Sequence, residues 1–382
     1  STHQLDAAPP GIGWRPRFDL TVSDPLRQIL RLMGPTLFGS AIYLINIAVS
    51  RFIGLSLNDS AVAILNLATR LMELPIGVFA VAVSTVIFPL ISKYAAAWDQ
   101  PNLAAAYRRI RNTSRYLLGN LADFDPGKDS VAHKDMLEVD RWAMHRLQKL
   151  IQRIRNGYDN FEFHIVFHSL HNFCAVDMSA FYLDILKDRL YTAKASSLER
   201  RSGQTVMHAI LSAMVRLMAP VLSFTADEVW GYTKEGAGGK SVFLAEFPKP
   251  EETFIDDALE ARWDRIIAVR GEVAKVLEAL RRDKKIGHSL DAGVTLYAEP
   301  QLYEFLNGYR NDLAFIFIVS SVEIASESGA PNDAYISDAV KGLRIAAGPA
   351  KGTKCGRCWM YQESVGTVKD HPEICGRCAG NL

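Results

Sequence analysis

Residues 146–155 read RLQKLIQRIR, and their spacing decides the fold class. Leu147, Leu150, Ile151 and Ile154 recur at i, i+3, i+4 and i+7, which puts them on one face of a helix. Arg146, Lys149, Gln152 and Arg153 take the opposite face. Similar segments follow. Helices are expected over about 161–191 and 198–218, the second stopping before Pro220. Another begins near Thr225, where Asp227 and Glu228 in the first turn suit the helix dipole. Short turns join these segments, so the expectation is a helical bundle. The glycine-rich EGAGGK (235–240) ends like a phosphate loop. However, Lys234 stands where such a loop needs its first Gly, and no strand feeds it, so it reads as a connector. A further amphipathic helix over about 257–283 ends in basic RRDKK. β-like runs at 294–298 and 322–325 then predict a small α+β unit.

The C-terminus carries the sharpest motif. Cys355-Gly-Arg-Cys358 and Cys375-Gly-Arg-Cys378 are separated by sixteen residues. Each C-x-x-C aims two sulfurs at one point, and two such knuckles complete a tetrahedral zinc shell. Four protein ligands leave no open position, so the predicted zinc is structural. His371 is a spare ligand. Gly356 and Gly376 are expected where a tight knuckle favours a residue without Cβ. A redox C-x-x-C would sit at the strand-to-helix turn of a βαβ unit, and none is visible. The fifth cysteine, Cys174, lies in an apolar stretch and reads as a core thiol. His164, His168 and His171 share a helical face but lack a fourth ligand. Asp177 and Asp184 lie two turns apart without a partner and read as structural.

The first hundred residues differ. Residues 32–50 (LMGPTLFGSAIYLINIAVS) and 74–92 (LPIGVFAVAVSTVIFPLIS) are two uncharged runs of nineteen residues. Each is about as long as a membrane-spanning helix, with basic residues at the flanks. Two transmembrane helices are therefore expected within 29–106, behind a linker over 1–28; the alternative is two buried helices of a large core. Residues 1–19 show no apolar signal region. The net charge of +1 excludes polyanion binding by bulk charge, so any nucleic-acid surface is local.

Several ordered motifs resemble one family. AYRRIRNT (106–113) with RYLLGNLADFDP (115–126) resembles the opening of the anticodon-binding helical domain of bacterial isoleucyl-tRNA synthetases. LHNFCAVDMSAFYLDILKDRLY (170–191), RLMAPVLSFTADEVW (216–230), KIGHSLDAGVTLYA (285–298), FIVSSVEIA (317–325) and the two CGRC knuckles continue the likeness to residue 382. The resemblance implies a mainly α fold: a class I anticodon-binding bundle (107–250), a small α+β unit (251–345) and a four-cysteine zinc module (346–382). RLMGPTLFGSAIYLINIAVSRFIG (31–54) and LNLATRLMELPIGVFAVAVSTVIFPLISKYAAA (65–97) instead resemble two helices of the MurJ (MviN-like) lipid II flippases. Thr69 precedes Arg70 where that family usually carries an acidic residue. The seam lies near 104–109.

The synthetase resemblance implies tRNA(Ile) as partner and zinc as the structural cofactor. ATP belongs to the family's catalytic domain, but neither an HIGH-type nor a KMSKS-type motif is present, so this chain shows no ATP site and no catalytic residues. Aminoacylation would then need a separate catalytic polypeptide. Candidate tRNA contacts are Arg108, Arg111 and Arg115 on one helical stripe, the cluster Arg281, Arg282, Lys284 and Lys285, and Lys354, Arg357, Trp359 and Arg377 around the knuckles. By itself the stripe reads first as a solvated helix face, and the resemblance turns it toward RNA; Trp359 reads equally as the knuckle's small core. The flippase resemblance implies an alternative, a membrane-anchored fusion touching lipid through residues 29–93. The synthetase-like part is expected in the cytoplasm, tethered to the inner membrane if those helices insert.

Overall fold

The computed structural model describes residues 100–382 and five isolated helical positions, 49, 52, 63, 64 and 67. The chain divides into two compact units, Ser1–Val83 and Ser84–Leu382, and the elements described belong to the second. Apart from Val49, the two expected membrane spans fall outside the described residues. Among the described residues, no helix is long and apolar enough to cross a membrane. The transmembrane pair is therefore removed from the fold class, which is mostly helical with a small sheet and a cysteine cluster. Among the described residues, charge is the reason that no helix qualifies as a span. Each long described helix keeps a charged, water-facing side, as Arg108, Arg109, Arg111 and Arg115 do on the first. No described residue supports the lipid contact through 29–93 or the inner-membrane tether expected with it.

The bundle opens with α1 (Gln100–Gly119), which buries Ala106, Ile110 and Leu117. Helix α2 (Glu138–Asp159) buries the face read from the sequence, and Leu147, Leu150, Ile151 and Ile154 all lie in the core. The next helix is continuous over 163–192. It runs as α3 (Phe163–Asn172), a π-helical stretch (Phe173–Tyr182) and α4 (Leu183–Thr192). Helix α5 (Leu198–Met218) starts where the Ser197 side chain accepts from the Arg200 N–H. It presses closely on α4, since a Cβ at Gly203 would lie 2.6 Å from Leu186 Cδ1. Helix α6 (Ser223–Gly231) and a glycine-rich loop follow, and then α7 (Asp257–Arg282), capped by Asp256.

A charged group lies inside this core. Asp140 is fully buried and accepts from both terminal nitrogens of Arg189 at 2.9 and 2.7 Å. The Tyr182 hydroxyl at 2.7 Å and the Ser202 hydroxyl at 2.5 Å complete its shell. Helices α2, α4 and α5 and the π-helical stretch meet at this one carboxylate. The Cys174 thiol is also buried, which pushes its pKa up to about 12.

The α+β unit holds a four-stranded sheet of order β2-β1-β4-β3. Strand β1 (Ala292–Ala298) runs parallel to β2 (Ser321–Ser326) and antiparallel to β4 (Leu343–Pro349), which also pairs with short β3 (Tyr335–Ile336). Two short helices, α8 (Pro300–Asn307) and α9 (Leu313–Phe317), lie between β1 and β2. Glu272 braces α7 to this sheet, accepting from Lys275 at 2.6 Å, Ser337 at 2.8 Å and Tyr335 at 3.1 Å. The Lys275 ammonium, then the two hydroxyls, hold its pKa down at about 2 against the opposing effect of burial. A depressed carboxylate stabilises the fold above its unfolded value, and that contribution disappears as pH falls toward the folded one. Between about pH 5 and about pH 3, wild type is expected to lose more urea resistance than Glu272→Gln, which lacks the titration. Equal losses would show that the brace contributes nothing.

Candidate functional site

The last thirty-odd residues fold around sulfur. Strand β5 (Thr353–Lys354) pairs with β6 (Tyr361–Gln362), and this hairpin carries Cys355 and Cys358 in its turn. Inside the turn the Cys355 N–H donates to Met360 O and the Trp359 N–H to Cys355 O, both at 2.9 Å. Cys375 caps the N-terminus of α10 (Gly376–Gly380), so Cys378 sits one turn in. All four cysteines are free and buried. Their four sulfurs lie within 4.8 Å of one another, and Cys358 and Cys375 are 3.9 Å apart. A tetrahedron with Zn–S of about 2.3 Å has edges of about 3.8 Å, so the spacing fits zinc, while a disulfide would need about 2.05 Å. The Cys375 N–H donates to Cys355 Sγ at 3.2 Å. Burial alone would raise the Cys355 thiol, but backbone N–H groups of Cys358, Cys375 and Arg357 outweigh it and hold it at about 6. Burial pushes the Cys378 thiol well up instead. The donor set therefore favours at least one thiolate before any metal arrives.

The glycine expectation needs correction. Neither Gly356 nor Gly376 has a positive φ; the left-handed residue of the first knuckle is Trp359, at φ 66°. The tight approach lies earlier, at Gly352 (φ 94°), where a Cβ would meet the Gln362 carbonyl carbon at 2.7 Å. His371 is exposed and outside the sulfur cluster.

The basic candidates are carried by different elements, α1, the end of α7 and the zinc module. Arg108, Arg111 and Arg115 are exposed along α1, with Arg111 3.5 Å from Glu228. Arg281, Arg282, Lys284 and Lys285 are exposed around the end of α7, where Lys284 takes φ 56° and reverses the chain. Arg281 pairs with Glu278 at 2.6 Å. Around the zinc module, Lys354 reaches Asp291 at 3.2 Å and Arg357 donates to Cys378 O at 3.1 Å. Arg377 is exposed and lies on Asp188 of α4, with nitrogen–oxygen distances of 2.6 and 2.8 Å. Trp359 is 59% exposed, so it is not the knuckle's core. It lines a cavity of about 510 Å³ with Tyr191, Phe315, Met360 and Lys187, between α4, the α+β unit and the zinc module.

One further group converges among the described residues: His145, Asp257 and Glu260. Its members are already engaged with one another and with neighbouring cations. His145 Nδ1 accepts from the Asp256 N–H and its Nε2 faces Glu260 at 3.2 Å. Arg146 also pairs with Glu260, and Lys149 with Asp257 at 2.7 Å. Both carboxylates are already paired with cations, so the group is an ion-pair network. His164, His168 and His171 do not converge.

Three family models match the chain. "Anticodon-binding domain of tRNA ligase" covers residues 140–296, "Zinc finger found in FPG and IleRS" covers 352–380, and "Lipid II flippase MurJ" covers 7–119. Among curated proteins, the chain is similar to an isoleucine–tRNA ligase of Geobacter sulfurreducens, 53% identical over 277 residues. That alignment takes in 72% of this chain and 30% of the relative. The corresponding enzyme of Caldanaerobacter subterraneus subsp. tengcongensis is 47% identical over 283 residues, 73% of this chain and 30% of the relative. That of Moorella thermoacetica is 50% identical over 279 residues, with 72% and 30% covered. The chain thus spans about 30% of the length of the curated relatives it matches. An alignment over 73% of 382 residues begins no later than about residue 105, so most of α1 lies inside both the ligase and the flippase likeness.

Proposed function

We propose that this chain, whose C-terminal three-quarters is related to isoleucine–tRNA ligases, uses residues 107–382 to bind tRNA(Ile). The observation that carries this reading is the co-occurrence, in one chain, of an anticodon-binding bundle and a closed four-cysteine centre. The centre fits zinc and has no open ligand position, so the metal would hold the knuckle in shape and supply no chemistry. The side chains offered to RNA are the exposed α1 arginines, the basic end of α7 and Trp359, with Arg111 and Arg281 also paired to neighbouring glutamates on the surface. Cations hold phosphates and an exposed indole stacks on an unpaired base. Lys354, Arg357 and Arg377 are engaged within the protein and act first as braces.

Isoleucine charging would require ATP and a catalytic domain with HIGH-type and KMSKS-type motifs, which these 382 residues do not contain; we propose that a separate polypeptide can supply it. Adding the catalytic portion of a related ligase in trans tests that. The expected result is isoleucine-dependent charging only with both parts present; no gain over the catalytic portion alone would remove the partner. The reading places the protein in the cytoplasm, where tRNA charging is used and four thiols stay reduced.

The basic end of α7 gives a quantitative test. Arg281→Ala with Lys285→Ala should weaken binding of a tRNA(Ile) transcript and flatten its dependence on log salt by about one for each phosphate no longer neutralised. An unchanged slope would place the RNA elsewhere.

A further inference from the structure

The zinc module meets its two neighbours in different ways. Against the α+β unit it is tied repeatedly. Lys354 pairs with Asp291, the Tyr361 N–H donates to Ser320 Oγ at 2.7 Å, and Leu290, Ala314 and Phe315 pack on the cysteine cluster. Against the helical bundle, among the described residues, a single ion pair makes the polar link: Arg377 to Asp188 of α4. The seam beside this pair is not packed. A cavity of about 510 Å³ and another of about 560 Å³ both reach Asp188, and the second also reaches Arg377. A parallel, two-point guanidinium–carboxylate contact fixes orientation as well as distance, which a point charge would not do. The Arg377 guanidinium is further held over the Phe315 ring, 5.0 Å from its centre. Trp359 and Tyr191 stand on the walls of the first cavity, one carried by the knuckle and one by α4.

We propose that the Asp188–Arg377 pair is a clamp that positions the zinc knuckle against the helical bundle and so sets the width of the cleft between Trp359 and α4. Zinc shapes the knuckle; the clamp places it. Asp188 and Arg377 are thus positioning residues. The consequence for RNA rests on the tRNA reading given above: a cleft of fixed width presents Trp359 to a planar base, and a knuckle free to swing does not.

The test uses the full chain with Asp188→Asn, which keeps size and removes charge, and Asp188→Glu, which restores it. Zinc content, amide hydrogen exchange over 351–382 and affinity for a tRNA(Ile) transcript are read together. The expected result for Asp188→Asn is one zinc per chain as in wild type, exchange in 351–382 faster by tenfold or more, and tRNA affinity at least tenfold lower. Asp188→Glu should recover most of both. Unchanged exchange in a zinc-loaded Asp188→Asn chain would overturn the clamp. Loss of zinc from that variant would overturn it too, because the pair would then be holding the knuckle's own fold. A wild-type chain that binds no tRNA would sink the RNA reading instead, and the exchange measurement would still decide the clamp.

Discussion

Asp140→Ala should cost about 3–5 kcal/mol of stability, the largest effect expected of any single substitution in the bundle. The cost comes from what the substitution leaves behind. Arg189 is mostly buried, 14% exposed, and its guanidinium rests on both carboxylate oxygens. A guanidinium keeps its proton at any working pH through its own basicity, so Arg189 cannot neutralise to escape the loss. Without the carboxylate, the hydroxyls of Tyr182 and Ser202 lose their acceptor, and the Arg189 cation keeps only the Glu199 carbonyl at 3.2 Å. Helices α2, α4 and α5 lose their common partner at once. The check is urea unfolding followed by far-ultraviolet circular dichroism, with the midpoint falling at unchanged slope. Asp140→Ala combined with Arg189→Met should recover part of the loss, since a packed apolar pair avoids the stranded charge. A single-variant loss below about 1 kcal/mol would mean that water reaches Arg189.

Removing zinc, by a strong chelator or by Cys355→Ser, should unfold the knuckle while leaving the bundle intact. Four convergent sulfurs dominate the small core of this module, which adds only Met360 to its fully buried set. Apparent zinc affinities of about 10–16 kcal/mol in comparable small modules exceed what such a core supplies by itself. Expected observations are zinc falling from one per chain to none, proteolysis within 351–382, and helical circular dichroism nearly unchanged. Full zinc content in Cys355→Ser would remove that ligand from the centre. Because Asp188 holds Arg377, chelation should also loosen the α4 seam, although both residues of the pair remain.

Much of this architecture is legible along the chain, because it is local. The helix expected over 198–218 is found over those residues, and that expected over 257–283 ends one residue earlier. Periodicity alone carries that information. Strand β4 is not legible, since its LRIAAGP lacks the β-branched run that marks 322–325, and its strand character comes from pairing with β1. The π-helical stretch is similarly silent in sequence. The four ligands are readable because two-residue spacing encodes their geometry. The partners of charged residues are not. Asp140 looks like any acid in a first helical turn, and its arginine lies 49 positions away. Arg377 reads as an RNA contact because its carboxylate lies 189 positions earlier. Trp359 is open between stacking and core in the sequence, and a positive φ with an exposed ring resolves it toward the surface. The nineteen-residue uncharged runs give length without partners, and the described residues hold no span to match them.

The most direct test of the central claim is binding of the full chain, loaded with one zinc, to a tRNA(Ile) transcript and to the same transcript with an altered anticodon. The measurement is made at about 50 mM and about 200 mM salt. The predicted result is binding to the first transcript that weakens steeply with salt, and a loss of at least tenfold on changing the anticodon. Equal affinity for both transcripts, or no binding at the lower salt, would contradict the account.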